Sequence, residues 1–152
     1  MSVGIPPEVL RLLASNPYVD RLNDPMGSAE KRSPICGSRV IVDVDVDAEG
    51  RVAALGMKVN ACAFGQAAAT VLAKTAVGKS ARDLASARDE FGQWLAGEGD
   101  MPDWPEIETF DPERLNSVRK ASVQLAFQAA AEAAEQAADA RVGIATDAGT
   151  SR

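Results

Sequence analysis

Cys36 and Cys62 are the two cysteines of this 152-residue chain, and their surroundings are ones that could make thiols reactive. Cys36 lies in Pro34-Ile35-Cys36-Gly37, where glycine lets the backbone bend around a bound sulfur or metal. Cys62 stands directly before a stretch with helical spacing, whose positive end favours a thiolate. The thiolate is the form that attacks sulfur and binds zinc or iron. Between the cysteines, residues 40–47 read Val-Ile-Val-Asp-Val-Asp-Val-Asp and residues 53–59 read Ala-Ala-Leu-Gly-Met-Lys-Val, joined by Ala48-Glu49-Gly50. Period-two alternation with β-branched residues predicts strands, and the short glycine-containing loop predicts an antiparallel hairpin. In a hairpin the start of the first strand faces the end of the second. Both thiols therefore belong at one rim of a small sheet. A buried cysteine is also an ordinary small hydrophobe, so these residues alone leave a reactive or metal-binding pair and an inert pair equally open.

The chain contains no histidine, which excludes imidazole metal sites and Ser-His or Cys-His nucleophile pairs. Its net charge of −6 argues against nucleic acid as a partner. No apolar run approaches the roughly 20 residues of a membrane span, and residues 1–7 lack the basic and apolar regions of a secretory signal. Two cysteines without a signal point to a reducing, cytoplasmic setting. Asp43, Asp45 and Asp47 alternate along one strand face about 7 Å apart. That spacing predicts a solvated face rather than a cation site.

The remaining elements must hold that hairpin. Residues 6–13 read as a short helix with Val9, Leu10 and Leu13 on one face, ended by Asn16-Pro17. A polar connector over 18–33 follows, with a short edge strand at 28–32. Alanine-rich residues 63–77 predict a packed helix with Gly78 at its end, and Ser80 with Asp83 forms a capping signal for the next. That helix runs to Gly97, with a break near Ser86, and a loop spans 98–110. Asp111-Pro112 is expected to open a last helix reaching about Ala140, with Val118, Ser122 and Leu125 on one side. Met57 and the two tryptophans read as core or interface. Residues 1–140 thus form one domain, and 141–152, without periodicity, a flexible C-terminal tail.

Several segments together resemble the U-type iron–sulfur cluster scaffold family (IscU, SufU and the N-terminal part of NifU). They are Pro34-Ile35-Cys36-Gly37 with its hairpin, Cys62 before a small-residue helix, Gly78-Lys79-Ser80, Asn16-Pro17, Leu22-Asn23-Asp24, and the run from Arg119 through Ser122 to Ala129. The resemblance covers residues 6–135, in order and at matching spacings. It implies an α+β domain, a small three-stranded antiparallel sheet covered on one face by helices, with a cluster site at one end. The family's site holds three cysteines and an aspartate two residues after the first. Cys36 and Cys62 take the first two cysteine positions; the aspartate position is Ser38 and the third cysteine position is Ser122. The position before it, histidine or lysine in family members, is Ala121.

Neutral hydroxyls are poor ligands where zinc or iron wants about four anionic or imidazole donors. The resemblance thus implies a scaffold-like protein of iron–sulfur cluster assembly that accepts sulfur or iron transiently at Cys36 and Cys62. Ser38 and Ser122 are then degenerate ligand positions. Such a chain is not an enzyme in the usual sense, but a sulfur acceptor for a cysteine desulfurase, acting with downstream iron–sulfur assembly proteins. Its cargo is an iron–sulfur cluster or zinc, or nothing in the isolated monomer; a homodimer pooling thiolates from two chains is a further expectation. The alternatives are an interaction or adaptor domain that keeps the fold without binding clusters, and a redox dithiol.

Overall fold

The computed structural model describes residues 5–17 and 20–150, the side chains of 144–150 excepted. The element order is α1 (Pro7–Leu13), β1 (Gly27–Arg32), β2 (Arg39–Val46), β3 (Val52–Asn60), α2 (Ala63–Ala76), α3 (Ala81–Leu95), two 3-10 turns (Ile107–Phe110 and Pro112–Arg114) and α4 (Ser117–Thr150). The strands form one antiparallel sheet in the order β1-β2-β3. The expected α+β architecture is present.

Val40, Val42, Val44 and Val46 all point to one side of β2 and are buried there. They pair across the sheet with Val59, Met57, Leu55 and Val52. A bulge between Asp45 and Val46 shifts the register, so Val52 rather than Ala53 faces the core. That corrects the strict alternation read from Ala53 onward. α4 packs on β1 and β2, α2 lies against β3 and α4, and α3 covers α4 from outside. α2 and α4 pack together, and both carry fully buried alanines, Ala67 and Ala68 on α2 and Ala130 and Ala134 on α4. Small side chains let these axes approach closely. At the far end of the core, Phe91, Phe110, Phe127 and Trp104 pack ring to ring, and the Trp104 indole N–H donates to the Val71 carbonyl at 3.0 Å.

The opposite face of the sheet is solvated only in part: Glu30, Arg32 and Lys58 are exposed, but Asp43 is buried, contrary to expectation. The connector from Asp20 to Met26 crosses it, and the strand aspartates hold that connector. Asp43 is fully buried and accepts from Arg21 Nε at 2.7 Å and Nη2 at 3.1 Å, from the Ser28 hydroxyl at 2.6 Å and from Leu22 N–H at 3.0 Å. Asp45 accepts from Met26 N–H at 2.8 Å, and Asp47 closes the turn by accepting from Glu49 and Arg51 N–H. Opposite Asp43, Gly56 leaves room for the connector: a Cβ there would stand 2.6 Å from the Asp20 carbonyl oxygen.

Smaller differences have local causes. In α1 the buried pair is Val9 and Leu12, while Leu10 is exposed, because the helix rests one face on α2. α3 runs unbroken through Ser86 from the reciprocal Ser80–Asp83 capping box. Asp111-Pro112 caps only a 3-10 turn; Asn116 opens α4, its side chain accepting from Arg119 N–H at 2.8 Å. Ser122 and Leu125 are buried on α4 but Val118 lies at the rim, partly exposed. α4 also continues past Ala140 to Thr150, since no proline interrupts 141–150; residues 151–152 of the expected tail lie outside the described residues.

Burial alone would raise the Asp43 carboxyl's pKa, but its bonds to Arg21, Ser28 and Leu22 N–H outweigh that and hold it below the ordinary value. Its contribution to stability is therefore fully present above about pH 4 and is lost as pH falls through the lower folded-state value. Asp43→Asn should lower stability at pH 7 by about 2 kcal/mol, the scale of hydrogen bonds to a charged group, or roughly 5 °C in Tm. Thermal melts of parent and variant between pH 7 and 3 should show the gap closing in acid.

Candidate functional site

The site lies at the end of the sheet where β2 begins and β3 ends, with Arg39 paired to both Arg32 and Asn60. Cys36 sits in the β1–β2 loop. Ser33 N–H donates to the Ser38 carbonyl and Gly37 N–H to the Ser33 carbonyl, both at 2.9 Å, closing a tight turn in which Gly37 takes φ +76°. Glycine suits that left-handed conformation because it has no Cβ to clash. The turn's tip, Pro34 to Gly37, is exposed, while Ser33 and Ser38 at its base are buried. Cys62 is the N-cap residue of α2, extended in backbone and exposed in side chain.

The third arm comes from α4. Ser122 is fully buried, and its hydroxyl lies between the other two arms. The Cys62 thiol donates to Ser122 Oγ at 3.5 Å, Ser122 Oγ contacts Ser38 Oγ at 3.3 Å, and the Cys36 thiol donates to Ser38 Oγ at 3.1 Å. Four residues from three separate segments thus form one continuous chain of contacts: Cys36, Ser38, Ser122 and Cys62. The approach depends on Gly65, because a Cβ there would fall 2.5 Å from Ser122 Oγ and 2.7 Å from the Ala61 methyl.

The electrostatics favour a thiolate at Cys36. The Ser38 hydroxyl is the main cause of a lowered pKa, aided by the Ser38 backbone N–H and the Ser33 hydroxyl, with desolvation opposing. Ser33 Oγ is buried and makes no hydrogen bond, although it stands near enough to act on that thiol. Ser33 and Gly65 carry no role in the sequence reading, and Arg119, whose guanidinium lies 4.4 Å from the Phe64 ring centre, enters it only as the start of a resembling run. A glycine inside an alanine-rich helix three residues after a cysteine was the available signal for Gly65.

The donor set is incomplete for a metal. Among the described residues no group of three or more Cys, His, Asp or Glu side chains could hold an ion. At this end of the sheet Cys36 and Cys62 are the two thiols, and the groups beside them are the neutral hydroxyls of Ser38 and Ser122.

No family model and no curated protein matches the sequence. Among solved structures, the chain is similar to the N-terminal part of a nitrogen-fixing NifU-like protein from Brucella abortus, at 30% identity and TM-score 0.80, covering 88% of this chain and 94% of that one. The chain belongs to the U-type family of NifU-like N-terminal domains. This U-type domain also shares its fold with a candidate iron–sulfur cluster assembly scaffold protein for the SUF system from Fervidobacterium islandicum (15% identity, TM-score 0.76, covering 86% and 96%). A hypothetical protein shares it too, at 20% identity and TM-score 0.68, covering 84% and 96%.

Because the Ser38 hydroxyl is the chief support of the Cys36 thiolate, Ser38→Ala should move alkylation of Cys36 to higher pH. Rates of iodoacetamide labelling between pH 6 and 10, read on the Cys36 peptide by mass spectrometry, check this; coincident profiles for parent and variant contradict it.

Proposed function

We propose that this U-type domain is a scaffold-like acceptor in iron–sulfur cluster assembly, taking up sulfur or iron transiently at Cys36 and Cys62. The observation that supports this best is the hydroxyl-linked convergence of Cys36, Ser38, Ser122 and Cys62 at one end of the sheet. A family site with this placement is kept while two of its ligands are neutral. Metal or cluster is cargo in this reading, and one chain's donor set does not fit it: the shell must be completed from outside, by a second copy of the chain or by a partner's thiol.

Sulfur uptake needs no such completion. The Cys36 thiolate attacks the outer sulfur of a donor's cysteine persulfide. A new sulfur–sulfur bond forms on Cys36, the donor's sulfur–sulfur bond breaks, and the donor leaves as a thiolate. No oxidation level changes, and the proton count balances on the two thiolates. Cys36, at an exposed loop tip beside Ile35, which is 61% exposed, is the thiol a donor reaches first. A cysteine desulfurase is the partner this chemistry implies, with downstream iron–sulfur assembly proteins as recipients, in the cytoplasm. The chain itself is then an acceptor rather than an enzyme. Among the described residues no helix is long and apolar enough to cross a membrane.

An adaptor role without cargo is favoured by the incomplete donor set alone. Iron and acid-labile sulfide analysis of anaerobically purified protein, with and without a desulfurase, separates the two: neither sulfur on Cys36 nor metal under either condition leaves the adaptor.

The ligand argument has its own test. Ser38→Asp combined with Ser122→Cys should give a chain that binds zinc one-to-one and far more tightly than the parent, by supplying three thiolates and a carboxylate. Thiolates shed protons on binding, so the advantage should grow between about pH 6 and 8. Competition against a zinc-binding dye measures it. A folded double variant no tighter than the parent shows that Ser122 does not stand at the third ligand position.

A further inference from the structure

We propose that Cys62 resolves a persulfide carried on Cys36, releasing its sulfur as sulfide and leaving the two cysteines joined as a disulfide. This rests on the sulfur-acceptor reading above and adds to it a reaction within the chain.

The argument begins with what the site lacks and what it keeps. Two of the four ligand positions are hydroxyls, so a single chain has no complete shell in which to hold sulfur against iron. What it keeps is a pair of thiols, and a dithiol holds two reducing electrons. Sulfur delivered as a persulfide is at the sulfane level, and reaching sulfide takes two electrons. The pair supplies that number without a further reductant.

The step balances. The Cys62 thiolate attacks the inner sulfur, Sγ of the Cys36 persulfide; the Cys36–Cys62 bond forms, the bond to the outer sulfur breaks, and that sulfur leaves as hydrosulfide. Both cysteines are oxidised by one electron each, and the leaving sulfur is reduced by two. A thiol reductant later restores the dithiol by exchange.

The geometry suits this order of events. Both thiols are exposed at the same rim and bonded to the same buried hydroxyl pair, Cys36 to Ser38 at 3.1 Å and Cys62 to Ser122 at 3.5 Å, with the hydroxyls 3.3 Å apart. The Cys62 thiol, exposed and hydrogen-bonded to Ser122 Oγ, is held facing the site and gives its proton to solvent. Ser38 Oγ stands beside the sulfur from which sulfide departs. Disulfide closure needs the two Cβ atoms about 3.8 Å apart. The Cys36 side is where the shift can occur, since 34–37 are all exposed and nothing lies within 4 Å of the position a Gly37 Cβ would take. Cys62, fixed at the start of α2 and backed by α4, is the stationary partner.

The test uses the reduced, metal-free full chain, mixed anaerobically with one equivalent of glutathione persulfide. Released sulfide is measured colorimetrically, and intact mass with peptide mapping gives the state of each cysteine. The parent should release close to one sulfide per chain and end lighter by two hydrogens, with a Cys36–Cys62 disulfide. Cys62→Ser should hold one extra sulfur on Cys36 and release little sulfide, and Cys36→Ser should neither gain sulfur nor form the disulfide. A parent that retains the extra sulfur with Cys62 free overturns the inference, as does a Cys62→Ser chain that releases sulfide as fast as the parent. If Cys62→Ser gains no sulfur on Cys36, it is the sulfur-acceptor reading that has failed, and the inference with it.

Discussion

The burial of one face of β2 under α4 is the contact on which the other arrangements depend. Val40, Val42 and Val44 are fully buried there, each side chain contributing on the order of 1.5–3 kcal/mol. This packing lays α4 across the sheet at a set angle and height. Because Ser122 belongs to that helix and Cys36 to the loop entering that strand, the same contact brings hydroxyl and thiol together. A slip of one residue in β2 would turn the valines outward and move the loop's attachment point. The buried Asp43 carboxylate resists such a slip from the other face, since only one register places it against Arg21, Ser28 and Leu22 N–H.

On that frame the site is assembled from parts distant in sequence. Ser38 and Ser122 touch across 84 positions and Cys62 and Ser122 across 60. Each part is anchored by its own element: a closed turn for Cys36, an N-cap for Cys62, a packed helix for Ser122. The fit between α2 and α4 is tight enough that Gly65 has no room for a side chain. A scaffold that rigid preserves the site's shape while its chemistry changes. The Ser38 and Ser122 hydroxyls carry no charge to bind metal, but Ser38 lies within hydrogen-bond distance of the Cys36 thiol. Such a hydroxyl is what a sulfur nucleophile uses.

Much of this was legible in the residues. The valine alternation, the capping box at Ser80 and Asp83, the glycine-bearing hairpin loop and the adjacency of the cysteines at one rim all follow from local stereochemistry and strand pairing, which act over a few residues. The motif resemblance placed Ser38 and Ser122 in one site; in the fold their hydroxyls lie 3.3 Å apart. Other features depended on what covers each surface, which a strand's own pattern does not state. Asp43 alternates like a solvent-facing residue but is buried, because the connector folds over it. Val52 replaces Ala53 in the core because a bulge in pairing is invisible to simple periodicity. Asp111-Pro112 has the form of a helix start, and the chain used it for one 3-10 turn, leaving Asn116 to cap α4.

The sequence by itself therefore determined the hairpin and the pair of thiols, which depend on residue type and short-range geometry, and through its family resemblance the α+β class. Tertiary structure alone decided the hydroxyl chain from Cys36 to Cys62, the buried carboxylate at Asp43 and the exclusion of a side chain at Gly65. The reason is physical: hydrogen bonding and burial are properties of pairs of surfaces, and which surfaces meet is settled only when α4 and the connector close over opposite faces of the same sheet.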